Sequence, residues 1–219
     1  MRRRDFVAAV SALAAPARVE RWAIITIGNL SRNRYWGEPD TKPLRSAICT
    51  TTLISGGGFH LLVDPSLADR DAMAKELDRR SGLKLDDVTA VFVTHEHGDH
   101  YAGIGHFANA AWYAAAPVAE ILNGRKTLAR EIQPSPASLF GVVDVIPSPG
   151  HTLSHHALRF DCDSRSVVAA GDSVASRDFW RERRSYYNAV DPALAARTMD
   201  KLAAIASVII PGHDNSFLV

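Results

Sequence analysis

Apolar positions along the chain change period several times, and each change marks an element. Residues 19–28 (V-E-R-W-A-I-I-T-I-G) are rich in β-branched and aromatic residues and close on Gly28, which predicts a first strand. Residues 29–43 are polar, carry Pro39 and Pro43, and read as a loop. Apolar residues return over about 45–55, and Gly56-Gly57-Gly58 joins that stretch to Phe59–Val63, the signal of a hairpin. Asp64-Pro65-Ser66 ends the third strand and opens a helix over about 67–81, in which Leu67, Met73 and Leu77 recur among charges until Gly82 stops it. Val88–Val93 is a short β-branched run of the buried kind. A short strand near 111–114, a helix near 116–123 and a polar, proline-bearing loop over 124–136 follow.

Strands are then predicted near 139–146, 155–160 and 166–170. The stretch 173–190 is irregular or partly helical, residues 192–205 form an alanine-rich helix, and Val208-Ile209-Ile210 is a last strand running into Pro211-Gly212-His213. Each half, about 20–125 and 126–219, holds strands and helices, with no internal repeat or low-complexity linker. That order fits two packed sheets with helices outside, one layered α/β domain over residues 18–219.

Composition narrows the class. The 219 residues are 47% hydrophobic and 22% charged, an ordinary globular balance in a chain long enough to bury a full core. A formal charge of +1 provides no whole-chain attraction to nucleic acid or an anionic membrane. No run of 18 apolar residues is present to span a bilayer. Cys49 and Cys162 sit far apart in apolar, strand-like contexts and read as buried thiols; a disulfide between them stays open, and neither belongs to a C-x-x-C pair.

The N-terminus reads separately. Arg2, Arg3 and Arg4 precede an alanine-rich apolar run that ends in Ala15-Pro16-Ala17. Residues 1–17 resemble a short twin-arginine export signal with a small-residue cleavage site, against the alternative of a helix kept in the mature protein. Export to the periplasm is the favoured expectation and the cytoplasm the alternative. Removing three Arg and one Asp from 25 basic and 24 acidic residues would leave 22 and 23, a net of −1.

The chemistry concentrates in Thr94-His95-Glu96-His97-Gly98-Asp99-His100. His95 and His97 are two apart, so extended backbone projects both rings to one side, where they can share a cation. Gly98 permits the tight turn that swings Asp99 and His100 toward a neighbouring position. Imidazole and carboxylate suit zinc, and no thiolate is present in the segment. Three further pieces put one candidate ligand each at a strand end or turn: Pro149-Gly150-His151, Gly171-Asp172-Ser173 and Pro211-Gly212-His213. Taken singly, each is more often a turn residue bonded to backbone. Together they supply the partners that a site of three or four ligands per ion needs.

These residues resemble the metallo-β-lactamase fold superfamily, whose mark is an H-x-H-x-D-H loop after a short strand, then a distant His, a distant Asp and a final His. The pattern covers residues 20–213. The resemblance implies an αββα sandwich, two mixed β-sheets flanked by helices, with two divalent metal ions at one edge, zinc first and iron or manganese compatible. It places one ion on His95, His97 and His151, the second on Asp99, His100 and His213, and Asp172 between them. It implies a hydrolase in which the two cations convert a shared water to a bridging hydroxide that attacks an ester, lactone, thioester or similar carbonyl, with Asp99 also handling a proton. Asp64 stands where relatives often carry an Asp hydrogen-bonded behind the histidine loop, against the plainer reading of a helix N-cap.

Within the superfamily, zinc β-lactamases carry Cys or Ser where Asp172 stands, which makes β-lactam hydrolysis a lesser alternative. Glyoxalase II-type thioesterases share T-H-x-H-x-D-H and P-G-H-T but add a C-terminal helical region, and this sequence stops six residues after His213. A phosphodiesterase or nuclease of the RNase Z-like branch needs a basic track, for which Arg177–Arg184 (R-D-F-W-R-E-R-R), interrupted by acids, is the candidate. An inert binding module would be expected to have lost ligands, and all seven are intact. The expected partner is a small-molecule substrate, not nucleic acid or membrane, and the oligomeric state stays open. His106, His155 and His156 fall outside the motif and read as structural. Among Phe179, Trp180, Tyr186 and Tyr187, one is expected to line the pocket and the rest to pack; Tyr35 and Trp36 read as a flap or a surface anchor.

Overall fold

In the computed structural model, which describes residues 18–219, the β-branched and aromatic runs become strands wherever both faces can be covered. The export-signal reading of residues 1–17 lies outside the described residues. The first sheet comprises β1 (Val19–Thr26), β2 (Thr51–Gly56), β3 (Phe59–Val63), β4 (Ala90–Val93), β5 (Ala111–Ala114) and β6 (Gln133–Pro134), hydrogen-bonded in that order. The second comprises β7 (Ser138–Leu139), β8 (Val143–Pro147), β9 (His156–Cys162), β10 (Arg165–Gly171), β11 (Val208–Pro211) and β12 (Phe217–Leu218), also in sequence order. Both sheets are mixed: β3, β4, β5 and β6 run parallel in the first, β10 and β11 in the second, and the other neighbours are antiparallel.

The period-2 alternation sorts side chains into layers. Leu61, Val63, Ala90 and Phe92 face Leu158, Phe160, Val167, Ala169, Val208 and Ile210 between the sheets. Their sequence neighbours Leu62, Val91 and Val93 turn outward onto α1 (Arg70–Ser81) and α2 (Ala116–Gly124), meeting Met73, Leu77, Val118 and Leu122. On the other side Ala157, Val168, Ala170 and Ile209 pack on Met199 and Leu202 of α4 (Pro192–Ile205). The layers are therefore helix, sheet, sheet, helix, as the sequence pattern implies. Short helix α3 (Arg177–Arg181) lies in the stretch expected to be partly helical.

Two boundaries differ from the sequence reading, each for a visible reason. The first helix starts at Arg70, not at 67, because Asp69 caps it by accepting from the Ala72 amide. The upstream polar residues are engaged elsewhere: Asp64 with Thr94, and Ser66 with Thr51. The second strand starts at Thr51, not near 45, because residues 45–50 leave the sheet edge. Ile48 bridges Asn29, and the Thr50 amide donates to the Gly212 carbonyl at 2.6 Å.

Strand direction places the candidate ligands. β3 and β4 are parallel, so Asp64 and the histidine loop leave the first sheet at one end. β8 and β10 both run against β9, and β11 runs with β10, so His151, Asp172 and His213 leave the second sheet at one end. The His156 amide donates to the Thr94 carbonyl at 3.0 Å and joins the two ends.

Candidate metal centre

All seven sequence-chosen residues meet at this junction. Three ring nitrogens converge: His97 Nδ1 lies 3.0 Å from His95 Nε2 and 2.9 Å from His151 Nε2. Asp172 divides its oxygens. Oδ2 lies 3.2 Å from His151 Nε2, while Oδ1 lies 3.3 Å from His100 Nε2 and 3.2 Å from His213 Nε2. Asp99 Oδ2 closes the second cluster, 3.5 Å from His213 Nε2 and 3.9 Å from His100 Nε2. Within each of the groups His95-His97-His151-Asp172 and Asp99-His100-His213, the donor atoms lie within 4.8 Å of one another, close enough to hold one cation.

The outer hydrogen bonds decide which way each ring presents its lone pair. Thr94 Oγ1 donates to Asp64 Oδ2 at 2.8 Å, so it accepts from His95 Nδ1 at 3.1 Å and leaves His95 Nε2 as a lone pair facing inward. His100 Nδ1 donates to Asp64 Oδ2 at 2.9 Å, and His213 Nδ1 donates to the carbonyls of Asn29 and Ile48 at 3.1 and 3.0 Å. Their Nε2 atoms therefore also point lone pairs inward in the neutral rings. His100 Nε2 and Asp172 Oδ1 are buried and have no hydrogen-bond partner among the described residues. In the neutral rings these lone pairs and the buried carboxylate oxygens facing them repel one another unless a proton or a metal ion lies among them. The donor set, imidazole and carboxylate, is that of zinc and related divalent ions. The residues fit such ions.

Burial sharpens this. His95, His100 and His151 are fully buried, and Asp172 and His213 nearly so, whereas His97 and Asp99 are half-buried and mark the open side. Burial pushes His95 well below the usual histidine range, with the nearby His100 adding to it, and brings His151 to about 4. Burial also opposes the charged forms of His100 and His213. It is overridden at His100 by Cys49, Asp172 and Asp64 and at His213 by Asp172, so both are held above the usual range. Burial pushes Cys49 up to about 12, so it is a thiol at neutral pH and the carboxylates carry the effect at His100. Asp172 is pushed up by burial but held well below the carboxylate range by His213, His100 and His151.

These shifts give the metal-stripped protein a two-sided pH profile. His95 and His151 are neutral in the fold, so the unfolded chain takes up protons first as pH drops below 6.5, and their contribution to stability falls toward pH 4. The contribution of His100 and His213 is full below 6.5 and is lost as pH rises through their raised values. Urea midpoints of the stripped protein are expected to fall on both sides of their maximum; a flat profile would contradict the assignment.

Asp64 is the hub behind the candidate ligands. Its φ of 51° is unusual for a residue with a side chain, and its carboxylate repays that strain with three bonds. Oδ1 accepts from the Thr94 amide at 2.8 Å, and Oδ2 accepts from Thr94 Oγ1 and His100 Nδ1. Asp64 is not the cap of α1. Asp64→Asn offers one acceptor oxygen where two are needed, so one buried donor would meet an NH₂ group. A loss of about 1–3 kcal/mol of stability is expected, with weakened metal uptake, read by denaturant melts and metal titration. An unchanged melt and uptake would contradict this role.

Several residues that sequence reasoning left outside the ligand set have partners of their own. Cys49 lies beside Asp64 and His100, its thiol donating to the Asp64 carbonyl at 3.4 Å, and both cysteines are free. That trio is already closed by hydrogen bonds. His155 is buried and stacks on the His95 ring at 4.8 Å, with Ser148 Oγ 2.8 Å from its Nδ1. His106 and His156 bond backbone carbonyls of Leu67 and Ser154. Tyr35 packs edge-on against buried Phe179, and Trp36 is exposed beside Arg45. The Tyr186 hydroxyl donates to the Arg32 carbonyl and that of Tyr187 accepts from the Arg34 amide, fastening the loop after β1. In the arginine segment Arg181 pairs with Asp178, Arg183 with Asp200 and Arg184 with Glu182, while Arg177 donates to the Ser216 carbonyl.

A family profile described as the metallo-beta-lactamase superfamily matches residues 45–213. The metallo-beta-lactamase domain-containing protein 1 of Rattus norvegicus is 28% identical over 156 residues, 68% of this chain and 59% of the rat protein. The N-acyl homoserine lactonase of Bacillus thuringiensis is 25% identical over 189 residues, 80% of this chain and 75% of the lactonase. The hydroxyacylglutathione hydrolase of Cupriavidus taiwanensis is 30% identical over 165 residues, 69% of this chain and 57% of that protein. The chain thus spans less than two thirds of the rat protein and of the hydroxyacylglutathione hydrolase. Among solved structures, a Thermotoga maritima protein described as a candidate metallo-beta-lactamase superposes with a TM-score of 0.70 at 17% identity, covering 94% of this chain and 100% of that one. A dizinc quorum-quenching lactonase with bound product superposes at 0.64 and 16% identity, covering 76% and 72%. At these identities the superpositions speak to fold alone.

Proposed function

The chain belongs to the metallo-beta-lactamase superfamily, and on that footing we propose that it is a dinuclear metal-dependent hydrolase acting on an ester, lactone, thioester or similar carbonyl of a small molecule. The observation that carries the reading is the division of Asp172, one oxygen toward His151 and the other toward His100 and His213. His95, His97 and His151 would hold one ion, Asp99, His100 and His213 the other, and Asp172 both. Bound there, divalent ions, zinc first and iron or manganese by the same donors, supply a Lewis acid that polarises a carbonyl and acidifies water.

The chain's own residues do the rest. Asp64 and Thr94 keep the tautomers of His100 and His95 that turn their Nε2 lone pairs inward. Asp99, half-buried on the open side, is placed to bind and also to hold or pass a proton at its carboxylate. The fully buried His95, His100 and His151 lie on the closed side of the site, where the low dielectric strengthens charge interactions.

Lactone and thioester substrates are supported by the Bacillus lactonase and the Cupriavidus hydrolase as relatives. A phosphodiester substrate draws no support from the arginines of 177–184, which are largely paired with acids. The test is a hydrolysis screen of metal-loaded protein against an N-acyl homoserine lactone, an S-acyl thioester, a nitrophenyl ester and a nitrophenyl phosphodiester, with and without chelator. Chelator-sensitive turnover of a carbonyl substrate, restored by zinc, is expected. Turnover of the phosphodiester alone, or of none, would contradict the proposal.

A further inference from the structure

We propose that Glu96 is a positioning residue that holds the His95-His97-His151 group at the spacing its cation requires, by tying together the two loops that carry those rings; this rests on the metal-binding reading above. That group is assembled across the two sheets. His95 and His97 leave β4, whereas His151 follows β8, yet their ring nitrogens meet within 2.9–3.0 Å. Rings brought together from separate loops need a strut between those loops.

Glu96 stands between the two histidines, and its carboxylate crosses to the other loop. Oε2 accepts from Ser154 Oγ at 2.6 Å and from Thr152 Oγ1 at 3.2 Å, and the two hydroxyls lie 3.1 Å apart. Thr152 adjoins His151. The other end of Glu96 is pinned too: its carbonyl accepts from Arg125 Nη1 at 2.5 Å, and the same guanidinium nitrogen reaches the Tyr101 hydroxyl at 3.1 Å. Among the described residues no Lys, Arg or His forms an ion pair with Glu96, so its carboxylate is used on the two hydroxyls. Hydroxyl-to-carboxylate bonds are short and strong for their size, which suits a strut.

The second group does not depend on this bridge. His100 is held by Asp64, His213 by the Asn29 and Ile48 carbonyls, and the Gly212 carbonyl by the Thr50 amide. The main-chain bond from His156 to Thr94 joins the sheets without Glu96. Loss of the strut should therefore loosen one cation group and leave the fold and the other group in place.

The experiment is zinc titration of the metal-free full chain against a chromophoric chelator. His97→Ala and His213→Ala identify which binding step belongs to which group. Glu96→Ala is expected to weaken the step abolished by His97→Ala by about 10- to 100-fold and to leave the other step unchanged. Glu96→Gln, which keeps an acceptor oxygen, is expected to recover most of the loss. The double variant Thr152→Val with Ser154→Ala is expected to reproduce the Glu96→Ala result and carries the test if Glu96→Ala does not fold. Wild-type values for both steps, or equal weakening of both, would overturn the strut. A wild-type protein that takes up no zinc would overturn the metal-binding reading itself, and the strut with it.

Discussion

Asp172→Ala is expected to weaken both cation groups at once and to lower kcat/KM by at least about 10³-fold. Among the described residues no other candidate ligand faces both clusters: Oδ2 faces His151 and Oδ1 faces His100 and His213. The variant also removes the charge that offsets three buried imidazoles, so each cluster loses an anionic donor. His213→Ala, by contrast, takes a ligand from one group only. Zinc content and turnover measured on both variants separate the cases. Retention of wild-type zinc by Asp172→Ala would remove the bridging role.

Gly212→Ala is expected to cost about 10²-fold in kcat/KM while the protein stays folded, because it displaces the same carboxylate from the side. A Cβ at Gly212 would lie 2.0 Å from Asp172 Oδ1, with the Gly171 carbonyl carbon at 3.0 Å and the Asp172 amide nitrogen at 3.1 Å. The backbone atoms cannot yield, so the carboxylate must swing out of the cluster. Gly171 guards the other side: its φ is 49°, and a Cβ there would meet Thr94 Oγ1 at 2.7 Å and the His155 ring at 2.8 Å. Gly57→Ala, in a hairpin turn with nothing within 4 Å, is the control and is expected to be neutral. Zinc stoichiometry, turnover and the melting curve of the two variants check this. Full activity in Gly212→Ala would show that Asp172 is not held where its oxygens now lie.

Why the candidate ligands were legible in the sequence follows from their place in the fold. The strands that lead to them announce themselves by local alternation of apolar residues, whereas His151, Asp172 and His213, singly ordinary turn residues, are assigned through the family resemblance. His95, His97, Asp99 and His100 also share one loop, so their mutual geometry depends on backbone that is local in sequence. The four layers follow from the same alternation, as Leu61 and Val63 facing one way and Leu62 the other make plain. What was not legible is set by long-range contact. The Glu96 bridge links residues 56 and 58 positions apart. Cys49 reaches His100 only after the sheet forms, and the Tyr186 and Tyr187 hydroxyls fasten residues more than 150 positions away. β12 is two residues long and gives no periodic signal. The N-terminal boundary of α1 shifted because Asp64, which resembles a cap, is drawn to Thr94 and His100 instead.

The central claim is that the inward-facing imidazoles and Asp172 form two cation groups, and elemental analysis of the purified chain, before and after reconstitution with zinc, tests it most directly. Close to two equivalents of divalent metal per chain, with a lower content in Asp172→Ala, is the result this account predicts. A chain that remains free of metal after reconstitution would contradict it.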